Sequence, residues 1–242
     1  MMDKRLKQKN ALITGGSRGI GRAIAEEYAR QGAGLALLAR NAEKLAEAAE
    51  SVRTESEVAE VVTVQADVSD RGEVERAVEK SITQLGHLDI LVNSAGIASL
   101  GNIDEMPPEE WRRMIEVNLM GVYHCCRAVW PHFRERRSGS IVNISSGSGR
   151  RAHGGWTAYC TSKYGVMGLT NALQKEGRPH GIRCNVICPG PTDTSQRRSN
   201  FPEEDPSTLM QPEHIAEASV FFASEESRWV SGPGIDVRRE PI

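Results

Sequence analysis

Short apolar runs alternate with longer stretches of helical period along almost the whole chain, and this leaves few folds open. The runs lie at residues 10–14, 35–40, 61–66, 88–93, 140–145 and 182–188, with a weaker one at 234–237. Between them, positions such as Val74, Ala77, Val78, Ile82 and Leu85 recur at intervals of three and four, which places them on one face of a helix. The longest helix is expected over 109–136, with Pro107 and Pro108 suited to its start and Ser138-Gly139 to its stop. Strands and helices in strict alternation make right-handed βαβ crossovers. The expected fold is therefore α/β: a doubly wound Rossmann fold, a parallel seven-stranded sheet with helices on both faces, in a single domain spanning 1–242. One irregular stretch, about 189–212, holds five prolines and few apolar residues, and a loop at that edge of such a sheet is usually functional.

Composition excludes several other classes. The chain has 242 residues, 39% of them apolar, enough for a core without disulfides or metals, and no metal site is expected. Thirty basic residues against thirty-two acidic ones leave a formal charge of −2, which argues against a nucleic-acid partner. No apolar run approaches the roughly 18–20 residues of a membrane span, and the charged start MMDKRLKQKN has no signal-peptide core, so the cytoplasm is the expected compartment. The five cysteines are an odd number without CxxC spacing, as expected of small buried hydrophobes in a reducing compartment.

After the first run comes Thr14-Gly15-Gly16-Ser17-Arg18-Gly19-Ile20-Gly21 and then a helix. Glycines at 15, 19 and 21 permit a tight turn, close approach of the backbone to a pyrophosphate and close helix–strand packing, with free helix N–H groups beyond. A carboxylate about 20 residues further on would suit the ribose 2′-hydroxyl of NAD. Ala39 stands near that place, followed by Arg40, while Arg18 lies within the turn. Two guanidinium groups suit a 2′-phosphate, so NADPH/NADP is favoured over NAD/NADH; the plain alternative leaves Arg40 as a solvated strand end.

Tyr159 and Lys163, four apart, share a helix face. A neighbouring ammonium is expected to lower a tyrosine's pKa from about 10 toward the range where it can exchange protons with a carbonyl or alcohol. Alone, this spacing says little, because many helices have it by chance.

Taken in order, the TGxxxGxG turn at 14–21, Asp67-Val68, Asn93-Ser94-Ala95-Gly96, Asn118, Ser146, Tyr159-x-x-x-Lys163 and Pro189-Gly190-Pro191-Thr192-Asp193-Thr194 give the chain a close resemblance to the classical short-chain dehydrogenase/reductase family. By pattern it is most similar to the 3-oxoacyl-[acyl-carrier-protein] reductase-like enzymes. The resemblance spans nearly the whole chain, including the thirteen-residue step from Ser146 to Tyr159. It implies that Tyr159 is the acid–base and that Lys163 lowers its pKa and binds the nicotinamide ribose. Ser146 would bond the substrate oxygen, and Asn118 would disturb its helix and hold a water linked to Lys163. It also implies that Asp67 meets the adenine amino group with Val68 beside the ring, and that Asn93, Ala95 and Gly96 lie against the adenosine ribose. Pro189, Gly190, Thr192 and Thr194 complete the cofactor set, the two threonines at the carboxamide. Ser94 departs from the usual second asparagine and is expected to weaken side-chain contact there. For Ser145, strand alternation predicts the opposite direction from Ser146.

The resemblance puts a substrate lid at about 195–212, here without an evident amphipathic helix, which suggests an open pocket for a bulky or carrier-bound carbonyl substrate or loose specificity. Ile97, His153, Trp156, Pro191 and Phe201 are candidate pocket residues, Trp156 equally a subunit contact. Arg134, Arg136, Arg137, Arg150 and Arg151 are a basic set in sequence, read as a solvated helix end or as a docking site for an acidic carrier. A homotetramer, or a dimer, is expected, although the tail from Gly232 departs from the family's glycine-rich ending. The expected reaction is NADPH-dependent reduction of a ketone or 3-oxoacyl group to a secondary alcohol. The alternatives are an NAD-linked sugar, polyol or other alcohol dehydrogenase, and a dinucleotide-binding regulatory protein without turnover.

Overall fold

The computed structural model describes residues 4–55 and 60–239, without the Pro233 side chain. Seven strands, β1 (Asn10–Thr14), β2 (Gly34–Ala39), β3 (Val61–Gln65), β4 (Ile90–Asn93), β5 (Gly139–Ile144), β6 (Ile182–Pro189) and β7 (Gly232–Val237), form one sheet in the order β3-β2-β1-β4-β5-β6-β7. Every pairing is parallel. The order reverses between β1 and β4, so a crevice opens beyond their carboxyl ends, where such sheets bind ligands. One core packs α1 (Gly19–Arg30), α2 (Ala42–Glu55) and α8 (Pro212–Ala223) on one face of the sheet. The other core packs α3 (Arg71–Leu85), α5 (Gly121–Arg136) and α6 (Thr157–Gly177) on the opposite face. All five cysteines are free and buried.

Each strand lies within two residues of its expected position. The seventh begins two residues earlier than expected, because Gly232 pairs with Asn185 while Ile235 pairs with Ile187. Two residues of β7 therefore oppose Val186 in a bulge. A side chain at Gly234 would come 2.2 Å from the Val186 carbonyl oxygen, so glycine is required there.

The long helix is broken. α4 (Pro108–Ile115) runs into a π turn at Glu116–Met120 before α5 resumes. Asn118, at its centre, turns its amide away from the helix: Oδ1 accepts from Ile97 N at 2.8 Å and Nδ2 donates to Ile97 O at 2.9 Å. The helix is thus interrupted at the turn whose central side chain is tied to the segment after β4. At the far end the left-handed cap is Arg137 (φ 51°), not glycine. Gly139 instead makes room for Phe133, whose ring would lie 2.5 Å from a Cβ there.

The segment expected to be irregular forms a short helix, α7 (Ser195–Asn200), and a 3-10 turn at Pro206–Thr208. The basic set does not make one patch. Arg136 bonds Asp89 and Arg137 bonds Pro179 O, both before β5. Arg150 pairs with Asp236 after β5. The six residues of β5 separate the two groups by about 20 Å, at opposite ends of that strand.

Candidate active site

The glycine turn leaves β1 at Thr14, whose hydroxyl accepts from Ser94 N and Ala95 N at 3.1 Å each and so ties the turns after β1 and β4 together. Gly15 (φ 69°) and Gly19 (φ 54°) hold left-handed backbone. A Cβ on Gly15 would lie 2.9 Å from Ala95 N and Cα, and one on Gly21 would lie 2.3 Å from Gly15 O. α1 starts at Arg18 without a side-chain cap and with no acidic residue in its first turn, so its N–H groups are available to an anion. These residues open on a cleft of about 500 Å³. The bare backbone cradle and uncapped helix fit the pyrophosphate of a dinucleotide.

Ser17, Arg18, Ile20, Arg40, Asp67, Val68, Ala95, Gly96, Tyr159, Lys163 and Thr194 all line this cleft. At one end Arg18, Arg40 and Lys44 put three cations on the cleft wall. Lys44 was missed from sequence, although it follows Arg40 by four residues, in the first turn of α2. Arg40 Nη1 lies 3.6 Å from Asp67 Oδ2. Burial works to raise the Asp67 carboxyl, but the Ser69 N–H and hydroxyl together with Arg40 hold it below the usual carboxylate range.

At the other end, Tyr159 and Lys163 project from α6. Lys163 Nζ donates to Ile144 O at 3.0 Å and lies 5.7 Å from the Tyr159 ring centre. Burial pushes the amine down to about 8. Burial also pushes the Tyr159 phenol up, against a bond with the Ser146 hydroxyl and the charge of Arg197. In this arrangement burial is the largest influence on the phenol, and the Lys163 ammonium is bonded to a backbone carbonyl. Ser146, at the start of the turn after β5, also accepts from Ser148 N at 3.1 Å. Ser145 lines the cleft, but its hydroxyl is turned onto Lys163 O at 3.0 Å. Asn118 is wholly buried and bonds Ser162 Oγ at 3.1 Å, and a Cβ on Gly96 would sit 3.3 Å from its Oδ1 and 3.7 Å from Lys163 Nζ.

Some of the other expected contacts lie behind this wall. Asn93 is buried and donates to Asn143 Oδ1 at 2.8 Å, leaving its own Oδ1 without a partner. Thr192 donates to Gly190 O at 2.9 Å, and Pro189 closes β6. Thr194 caps α7 by accepting from Arg197 N at 3.2 Å. Trp156 meets Tyr159 edge-on at 5.7 Å and stacks on Phe201 at 5.6 Å, with His153 6.1 Å away on the exposed side. Ile97 lines the cleft and packs with Met106, Trp111, Met114 and Tyr159, whereas Pro191 is exposed. Leu38, Asn41, Lys44, Ala66, Val117 and Ile144 in the cleft wall were missed from sequence, and Gln196, Arg197 and Glu204 were expected only as part of the 195–212 segment.

Residues 9–205 match the family described as short chain dehydrogenase. The chain belongs to the short-chain dehydrogenase/reductase family. It is 36% identical over 240 residues to the 3-oxoacyl-[acyl-carrier-protein] reductase FabG of Chlamydia trachomatis, covering 96% of each chain. Its fold is similar to that of levodione reductase, with a TM-score of 0.92, 30% identity, and 96% and 97% of the two chains covered. Carveol dehydrogenase from Mycobacterium avium in complex with NAD follows at 0.90 and 31%, with 97% of each chain covered. This short-chain dehydrogenase is thus an oxidoreductase of an alcohol or ketone, in a family that binds NAD(P). No described helix is long and apolar enough to cross a membrane.

Proposed function

We propose that this chain is an NADPH-dependent reductase that converts a ketone or 3-oxoacyl group reversibly to a secondary alcohol. The observation that carries the reading is one cleft with three cations at the far end of the glycine turn and Tyr159 beside Ser146 and Lys163 at the other. The dinucleotide, when bound, supplies the hydride. Tyr159 donates the proton that the carbonyl oxygen takes up and recovers it in the reverse direction. Ser146 donates a hydrogen bond to the same oxygen and orients it. Lys163 holds ribose hydroxyls, and its charge favours the phenolate once Tyr159 has given up its proton. Asn118 fixes the Ile97 backbone beside this group, and its π turn holds a water on the path from Lys163 to solvent. Arg18, Arg40 and Lys44 grip the 2′-phosphate, and Asp67 takes the adenine amino group.

Identity to a 3-oxoacyl-[acyl-carrier-protein] reductase supports a carrier-bound acyl substrate beside small ketones. The half-exposed Tyr123 on α5 and Tyr164 on α6 support a homotetramer or dimer, and the proposed compartment is the cytoplasm. A second reading, an NAD-linked alcohol dehydrogenase, is favoured by the Arg40–Asp67 pair, which draws charge away from a 2′-phosphate, and by similarity to a dehydrogenase holding NAD.

The test is oxidation of NADPH and NADH in parallel against β-ketoesters, diketones and 3-oxoacyl thioesters. We expect NADPH turnover that falls at least about a thousandfold in Tyr159→Phe. NADH preference would select the second reading. Undiminished turnover in Tyr159→Phe would overturn the mechanism.

A further inference from the structure

Side chains close the segment between β6 and α8 over the tyrosine. Asp193 takes Arg198 with two bonds of 2.6 Å, and Glu204 takes Arg197 in the same two-pronged way, again at 2.6 Å each. Asn200 Nδ2 reaches across to Ala98 O at 3.2 Å. Phe201 then lies nearly flat on Trp156, with planes 18° apart, and the Arg197 guanidinium lies over the Phe201 ring at 3.9 Å. Glu204, Arg197, Phe201, Trp156 and Tyr159 thus form one continuous file from the lid to the phenol.

The two ion pairs differ in shielding. In the outer pair the Arg198 side chain is 63% exposed although Asp193 beneath it is 11% exposed, whereas Arg197 and Glu204 are 23% and 25% exposed, so water reaches the outer guanidinium far more freely. A clip that merely fastened the loop would work equally well on the outer side of α7. Arg197 is instead stacked on Phe201, the ring that covers Trp156, which places a shielded positive charge two rings away from Tyr159 along the file.

We propose that Arg197 is a positioning residue for the reaction: laid on Phe201 and gripped by Glu204, it holds Trp156 against Tyr159 and biases the tyrosine toward its phenolate when the lid is closed. This rests on the reading of Tyr159 as the acid–base. The groups that face Tyr159 leave room for such an effect. On its own helix are Lys163, bonded to Ile144 O, and Cys160; from the end of β5 comes the Ser146 hydroxyl. The Ile97 turn and α4 contribute Ile97, Trp111 and Met114, none of which titrates. Arg197, with Glu204 behind it, is the charge the lid adds, and it acts on the phenol against burial.

The experiment compares the full-length wild type with Arg197→Met, Arg197→Lys, Glu204→Gln and Tyr159→Phe. Two readouts are used: the phenolate absorbance titration, taken as the difference from Tyr159→Phe, and the pH profile of kcat/KM for NADPH-dependent reduction of acetoacetyl-coenzyme A. Arg197→Met should move the Tyr159 midpoint up by about half a pH unit. Glu204→Gln removes the opposing charge and should move it down, while Arg197→Lys stays near the wild type. If Arg197 and Glu204 only fasten the loop, both variants loosen it alike. Shifts in the same direction, or no shift in either, would overturn the proposal. Persistent turnover in Tyr159→Phe would instead overturn the acid–base reading itself, and should the probe not turn over, the absorbance titration alone decides.

Discussion

The turn after β1 and the lid after β6 meet across one cleft, where Thr194 Cγ2 lies 3.3 Å from the point a Cβ on Gly19 would occupy, yet they are held by different means. The turn is backbone packed on backbone: Gly15 against Ala95, and Gly21 against Gly15. The lid is pinned at its base by two backbone bonds between Pro191–Asp193 and Met210, and its span is fastened by side chains: two arginine–carboxylate pairs, one amide and a stack of rings. A backbone cradle has no slack, because no rotamer can relieve an added methyl group. A side-chain fastening can lose one member and keep the rest. The first wall should therefore fail all at once and the second by degrees.

The sharpest way to break this contrast is Gly21→Ala, whose methyl would collide with Gly15 O. We expect a loss of about 3 kcal/mol in denaturant unfolding and no saturable NADPH binding by fluorescence. Normal binding by this variant would show that the cradle can give.

Between the two walls stands Lys163, and its burial sets an intermediate effect. Its amine is near 8 folded and 10.5 unfolded, so between these values the unfolded chain binds the extra proton and stability rises with pH. Below about 8 both states carry the charge and the fold bears the full cost of burying it. Compared with Lys163→Met, the wild type should gain on the order of 2 kcal/mol in urea midpoints taken from neutral pH to about 10. A difference that does not change with pH would mean that the ammonium is better solvated than its surroundings indicate.

The smallest effect belongs to the lid's outer pair. Arg198→Ala should leave thermal stability unchanged and raise KM no more than about twofold, because water already screens its bond to Asp193. A larger change would mean that the lid, like the turn, is a single rigid piece.

How far each wall was legible in the sequence follows from the same contrast. The glycines at 15, 19 and 21 mark their positions wherever they occur, since only a residue without Cβ fits. The π turn was foreshadowed by Asn118, a residue that bonds backbone in preference to continuing a helix, but its partner, Ile97, is 21 positions away. Trp156 and Phe201 were both picked out as pocket residues, yet nothing in their spacing told that they would stack on each other. Lys44 escaped notice because a lysine in a first helical turn is ordinarily solvated. The five arginines between 134 and 151 looked like one patch because a strand's length is invisible in a list of charges.

The sequence by itself determined the order of strands and helices, the parallel sheet, the phosphate turn and the separation of Ser146, Tyr159 and Lys163, because each depends on local period or on a residue type that alone fits its backbone. The tertiary structure decided what those groups touch: Lys163 on the Ile144 carbonyl, Arg40 beside Asp67, and Arg197 on Phe201 over Trp156. These contacts join segments that only the closed sheet brings together, and burial and neighbouring charge, which set the chemistry of a titrating group, exist only after it has closed.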